Sequence, residues 1–319
     1  MTFRHFSTLF GAIALMLFSA AHVSAQTTVI VNDSFADGTR TNDGPLQADY
    51  YTSSSTSAIE VSTGSLGLVS GTSGRGIHAI FPEQTLSTAG DMLTSRLTFT
   101  TPDSISRGGD DFRFGIFDHL GRLGGDATMH LDVDQSFSTA NPNAVFNGLA
   151  GVALGLDVDP PMTPETDIRF RRFDPASLTG RFISTTGSFV SGTILNADGN
   201  DSGPDIGYEW APNTEYSVEI MSTLLPSGDI EHTGTYIDIT NGVTHPAYTV
   251  VDIAPDSTTF GMLGVHVTSD AFGTSAVAGE PDNGIDFSNV YVEFKAVPEP
   301  SAAILFMVGG LALLGLRRR

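Results

Sequence analysis

Two pairs of carboxylates are the first residues here whose spacing could do chemistry. Asp132 with Asp134, and Asp157 with Asp159, stand two apart and alternate with Leu131, Val133, Leu156 and Val158. On a strand that spacing puts both acids of a pair on one face. A retaining glycosidase needs two carboxyls about 5–5.5 Å apart across one cleft. A solvated face opposite a buried one gives the same pattern, and 36 acidic residues make it common by chance. His78, in "RGIHAIF" with Arg75 nearby, points to a different reaction. A polysaccharide lyase needs a base, a neutralising Arg or Asn and usually a Tyr. No closing strand rich in Lys and Tyr accompanies His78, and a half-buried strand histidine explains it better. His119, His130, His232, His245 and His266 are scattered, without the H-x-H or H-x-x-x-H spacing of a zinc site. No G-x-S-x-G elbow marks a nucleophilic serine, which leaves a triad assembled by the fold open.

Two further stretches could bind rather than react. "NADGNDSGPD" offers Asp198, Asn200, Asp201 and Asp205, hard oxygen donors of the kind calcium takes. The regular EF-hand spacing is absent, and a hydrophilic turn accounts for the same residues. In "YEWAPNTEY", Tyr208 and Trp210 could form a small platform for a glycan. A lone tryptophan before a Pro-Asn turn also suits the cap of a sandwich core.

Composition narrows the choices. The 319 residues carry a formal net charge of −21. Setting aside Arg4, Glu299 and Arg317 to Arg319 leaves 11 basic and 35 acidic residues, a body at −24. Such a body repels nucleic acid and anionic lipid, whose phosphates need Lys and Arg. Lys295 is the only lysine, so Schiff-base chemistry has almost no candidate. Cysteine is absent, which excludes disulfides, thiolate nucleophiles and cysteine-ligated metal. At 40% hydrophobic residues the chain can bury a core without such staples.

The set-aside residues belong to two end segments that read as addresses. Residues 1–25 combine a weakly basic start at Arg4 and His5, an apolar run from Leu9 to Phe18, and Val23-Ser24-Ala25. That order is a signal peptide, cut by signal peptidase between Ala25 and Gln26. At the other end Ala302 to Leu316 is an uncharged run of fifteen residues. As a helix it spans about 22 Å, short of a bilayer core of about 30 Å. Gly309, Gly310 and Gly315 weaken it further. Arg317, Arg318 and Arg319 would hold its end in the cytoplasm, leaving the body outside. A marginal span suits a temporary hold.

Val297-Pro298-Glu299-Pro300, the apolar run and the arginine cluster, in that order, resemble the PEP-CTERM sorting signal of Gram-negative bacteria. The resemblance covers residues 297–319. It implies an exosortase, a membrane cysteine protease, as the processing partner, and a transient inner-membrane hold before release to the envelope or the extracellular polysaccharide.

Between Gln26 and Ala296 the apolar residues alternate. Leu97 and Phe99 share a face in "RLTFT", as do Phe112, Phe114 and Ile116 in "DFRFGIF". In "YSVEI", Tyr216, Val218 and Ile220 point inward while Ser217 and Glu219 face water. Val290, Val292 and Phe294 alternate with Tyr291, Glu293 and Lys295. Further strands are expected at Ile59–Val61, Leu66–Val69, Ile77–Phe81, Met129–Val133, Val152–Val158, Ile168–Arg172, Tyr236–Ile239, Tyr248–Ile253 and Phe260–Val267. Gly, Asn, Asp, Ser and Pro fill the gaps. About a dozen short strands without a linker predict one all-β domain over 26–296, an antiparallel sandwich or jelly roll. A signal helix and a hydrophobic helix would flank it.

"DSFADGTR", "DFRFGIFDHLGR" and "GIDFSNVYVEF" lie at the start, middle and end of this body. They resemble concanavalin A-like, laminin G-like sandwiches of the kind joined to PEP-CTERM tails. Many members of that fold bind sugars, so the resemblance implies a structural or glycan-associated module. The Glu-x-Asp-x-Glu pattern of laminarinase-type enzymes on the fold is missing, but a glycoside hydrolase or lyase stays the alternative.

Overall fold

Sixteen strands carry that alternation among the described residues of a computed structural model of the chain. The structure describes residues 25–53, 59–69, 74–103, 105, 111–124, 130–135, 144–157, 168–173, 175–176, 182–183, 189–194, 210–267, 272 and 284–298. The signal-peptide residues before Ala25, the calcium candidates Asp198 to Asp205, Tyr208 and the tail from Glu299 onward lie outside them.

The strands are β1 (Gln26–Asp33), β2 (Asp49–Thr52), β3 (Ile59–Ser62), β4 (Ser65–Val69), β5 (Arg75–Thr85), β6 (Met92–Thr100), β7 (Asp111–Asp118) and β8 (Ala150–Asp157). They continue as β9 (Ile168–Phe173), β10 (Phe189–Ile194), β11 (Glu215–Leu224), β12 (Ile230–Asp238), β13 (Val243–Thr244), β14 (Tyr248–Asp252), β15 (Thr259–Val267) and β16 (Gly284–Ala296). One sheet runs β13-β12-β11-β6-β16-β4-β3, with β1 added to β16 and β14 to β12. The other runs β10-β9-β8-β7-β15-β5-β2. The β11–β12, β11–β6, β15–β5 and β15–β7 ladders are antiparallel, as in a sandwich of hairpins and crossovers.

The last strand organises the larger sheet. One edge of β16 pairs with β6. Its other edge pairs first with β4, from Gly284 to Phe287, and then with β1, where Ala296 meets Gln26. The first and last strands of the body therefore lie side by side.

Between the sheets the inward residues interlock. Leu97, Phe99, Tyr216, Val218, Ile220, Val290 and Val292 from the larger sheet meet Phe112, Phe114, Ile116, Leu154 and Phe170 from the smaller. Both central strands of the smaller sheet are covered on their second face as well. There Phe117, Leu131, Phe146, Phe173, Phe182 and Met262 form a separate apolar layer. Strands buried on both faces read as near-continuous apolar runs, which is what "TFGMLGVHV" in β15 shows.

Gly264 makes room for that second layer, because a Cβ there would meet Phe182 Cζ at 2.2 Å. Gly264→Ala is expected to cost about 1–3 kcal/mol through overpacking. Phe182→Leu added to it should recover part of the loss in a urea titration. No recovery would place the strain elsewhere.

Most expected strands form, with two corrections. In the expected strand Met129–Val133, Leu131 to Val133 are bends, and Met129 lies outside the described residues. Leu131 is buried because it belongs to the loop layer over the smaller sheet, where its apolar side chain packs without a ladder. Ser217 does not face water either and is only 4% exposed. It sits mid-sheet between Thr98 and Ile237, whose side chains close over a residue as small as serine. Strands β1, β2, β10 and β13, and the first half of β12, were not expected from the sequence.

Candidate functional site

Of the carboxylates singled out by spacing, Asp132 and Asp134 both lie near Tyr51. Asp134 takes a bidentate pair of hydrogen bonds from Arg40, at 2.7 and 2.6 Å, and one from the Thr52 amide at 3.0 Å. Burial pushes its pKa up, but these donors outweigh it and hold the carboxyl below its ordinary value. Asp132 accepts from the Gly124 amide at 2.9 Å. Each acid pins a loop. Asp157 ends β8, and its neighbour Asp159 lies outside the described residues.

His78 is 1% exposed, deeper than the half-buried strand position expected. Its Nε2 donates to the Leu131 carbonyl at 2.6 Å, so the loop over the smaller sheet hangs on it. Burial pushes its pKa down to about 4. Tyr51, missed in the sequence, lies beside it with ring centroids 5.6 Å apart. Burial and the Asp49 charge push that phenol up to about 12. Histidine, tyrosine and arginine thus meet here, as a lyase would require. Yet the phenol is no base near neutral pH, and the Arg40 guanidinium is held by Asp134. Arg75 donates instead to the Gly74 carbonyl at 3.4 Å.

A second constellation was also missed. Ser222 Oγ lies 2.8 Å from His232 Nδ1, on adjacent strands in direct register. His232 Nε2 is 3.8 Å from Asp252 Oδ2. Arg172, from the opposite sheet, binds Asp252 and donates to the Ile253 carbonyl at 2.7 Å. The residue types match a nucleophilic triad, but the chemistry does not follow. Ser222 is 0% exposed. Burial, with the Arg172 charge, pushes His232 down to about 3, too weak a base to take the serine proton. The group instead ties β9, β11, β12 and β14 together across the sandwich. Its sequence signal is a polar residue at an inward phase: Ser222 follows Tyr216, Val218 and Ile220.

Trp210 corrects the platform reading. It is 5% exposed and packed among Phe99, Tyr216, Tyr236 and Phe272, with ring centroids 5.0–5.6 Å away. Its indole caps the core and offers no face to a ligand. Among the described residues no group of three or more His, Asp or Glu could hold a metal ion. Nor is any helix there long and apolar enough to cross a membrane.

The outer face of the larger sheet is where polar chemistry is open to solvent. One register row crosses five strands: Thr235, Glu219, Arg96, Tyr291 and Asn32. At about 4.8 Å per strand it is roughly 19 Å long. The Arg96 guanidinium sits 4.7 Å from the centre of the Tyr291 ring and 3.9 Å from Glu219. The Tyr291 hydroxyl donates to Glu293 at 2.6 Å. Burial, with Glu293 adding to it, raises the Glu219 pKa against the pull of Arg96. In the next row Thr94 pairs with Glu293, and Met221 separates it from Thr233. An aromatic ring, a cation, two carboxylates and several hydroxyls therefore share one flat strip.

No family model matches the chain. No curated protein matches it either. Solved structures do. Lectin II from Ulex europaeus is 11% identical, covering 86% of this chain and 98% of its own, with a TM-score of 0.40. The potassium-bound carbohydrate recognition domain of Emp46p is 9% identical over 82% of this chain and 94% of its own, with a TM-score of 0.44. The exoplasmic/lumenal domain of VIP36, in its Ca2+/Man2-bound form, is 10% identical over 86% and 89%, with a TM-score of 0.42.

Proposed function

We propose that this chain is an exported protein, sorted by an exosortase-type system, whose sandwich is a glycan-associated module of the envelope or extracellular matrix without catalysis. The observation that carries the glycan reading is the open Thr235–Glu219–Arg96–Tyr291–Asn32 row. Sugar rings present axial C–H groups to an aromatic or guanidinium face and hydroxyls to carboxylates, amides and hydroxyls. A flat strip suits an extended polymer lying across strands better than a small molecule needing enclosure.

The non-catalytic reading is supported by where the reactive residue types go. Asp134, His78, Ser222, His232 and Asp252 are all spent on holding loops and strands. A glycan-cleaving enzyme is the second reading. It has one observation in its favour, the raised Glu219 carboxyl, since a carboxyl that holds its proton longer can serve as a general acid. The sorting part rests on the Pro298-Glu299-Pro300 motif, the apolar run and the three arginines.

Tyr291→Ala is expected to weaken retention on the host's own polysaccharide about 5- to 30-fold, the scale of losing one aromatic contact of 1–2 kcal/mol. Unchanged retention would remove the row from the site. Replacing Pro298, Glu299 and Pro300 should shift the protein's cell fractionation and mature mass. Identical fractionation and mass would end the sorting reading.

A further inference from the structure

The geometry points to a clamp that ends the folded body at Val297 and leaves Pro298 as the first residue a processing protease can reach. This rests on the reading of the tail as a processed sorting signal, and it fixes where that processing can act. Proteases bind the segment they cut as an extended strand with a free backbone edge. Strand β16 offers none near its end. Lys295 is paired with Thr27 on one side and Met92 on the other, and Ala296 is paired with Gln26. The Val297 amide then donates to Asp91 Oδ1 at 2.8 Å. Pro298 has no N–H to tie down.

Asp91 is held in place for this contact by other donors. Asp91 is 2% exposed. Its Oδ2 accepts from the Ser87 amide at 2.9 Å, the Ser87 hydroxyl at 3.3 Å and the Thr88 amide at 2.8 Å. That leaves Oδ1 for the tail. Burial raises the Asp91 pKa, but the Val297, Thr88 and Ser87 donors outweigh it, so the carboxylate is charged and the bond to Val297 charge-assisted. Gly90 completes the seat: a Cβ there would lie 2.9 Å from Val297 Cγ2. Across the ladder, Gln26 is the residue that signal-peptide removal would leave first. Both processing points therefore leave the body at one corner.

The test is limited proteolysis of the full chain in detergent with a broad-specificity protease, read by intact mass. The persistent wild-type fragment should end at Pro298 or beyond. Asp91→Ala should speed cleavage upstream of Pro298 about tenfold, the scale of one lost charge-assisted hydrogen bond. Asp91→Asn keeps a single acceptor oxygen for the two sets of donors, so it should speed the same cleavage by less than Asp91→Ala. Val297→Pro removes the donor while leaving the Ser87–Asp91 turn intact, and should expose Lys295 and Ala296 likewise. Unchanged cut positions and rates in both Asp91→Ala and Val297→Pro would overturn the clamp. In the host, a mature chain ending upstream of Val297 would overturn the clamp while leaving sorting standing. A mature chain that keeps Arg317 to Arg319 would overturn sorting, and the protease map would still decide the clamp.

Discussion

Arg172→Met is expected to destabilise the protein by about 3–5 kcal/mol, because it leaves the Asp252 carboxylate buried without its cation, and Asp252→Leu by less, because Arg172 keeps Asp256 at 3.9 Å and the Ile253 carbonyl. Side-chain exposure is 17% for Arg172 and 5% for Asp252, so water can do little to rescue either. The pair also joins the two sheets, since Arg172 comes from β9 and Asp252 from β14. Loss of Asp252 further strips His232 of its nearest carboxylate, 3.8 Å away. In a thermal melt the fall should be roughly 6–15 °C for a domain of this size. The double variant Arg172→Met with Asp252→Leu should regain most of that, as apolar replacements of buried ion pairs do. A double variant no better than the worse single one would show that the pair is needed for more than charge balance.

Acid should unfold the protein in two stages, and the first belongs to His78 and His232. Both are buried, and their folded pKa values are pushed down to about 4 and about 3 from an ordinary 6.5. A histidine held neutral by the fold binds its proton more readily when unfolded. Its stabilising contribution is therefore complete above pH 6.5 and is lost as pH falls toward the folded value. For His78 the loss is about 3 kcal/mol and for His232 about 5 kcal/mol, at 1.36 kcal/mol per pKa unit. Between pH 6 and pH 4.5 the stability should fall by about 2–3 kcal/mol per pH unit, as these two rings take up protons on unfolding and His245, also lowered by burial, adds to them. Below about pH 3.8 a second loss begins, as Asp91 and Asp134, held down in the fold, are protonated. His232→Leu should halve the slope of the first stage in urea titrations across that range. A slope unchanged by it and by His78→Gln would mean that neither ring stays neutral in the fold.

How much of this was legible follows the kind of force involved. Strands with one wet face announce themselves by alternation, and β6, β11 and β16 were read from their sequences with the correct faces apart from Ser217. Strand β15 reads as a plain apolar run, which tells that it is buried but not what covers its second face. The cover is the loop layer of Leu131, Phe146 and Phe182, whose residues lie outside the strands. Leu131 misled for that reason: an apolar residue in a bend and one in a strand look alike in sequence.

The candidate site divides in the same way. The outward row from Thr235 to Asn32 is assembled from five strands by register alone. Knowing that Glu219 and Tyr291 face outward does not put Arg96 between them. Asp91 and Val297 stand 206 positions apart, and nothing local marks either as half of a clamp. His232 could have been noticed, because a histidine at an inward strand phase needs a partner, and Ser222, directly opposite on the adjacent strand, supplies it. Trp210 was visible as a residue but not as a core cap, since both readings use the same Pro-Asn turn after it.

Incubating the mature protein with its host's extracellular polysaccharide, and assaying both retention and products, tests the proposed role most directly. The expected result is retention with no new reducing ends and no unsaturated uronates. Cleavage products that vanish in a Glu219→Gln variant would contradict a non-catalytic module and make the Glu219–Glu293 face an active site.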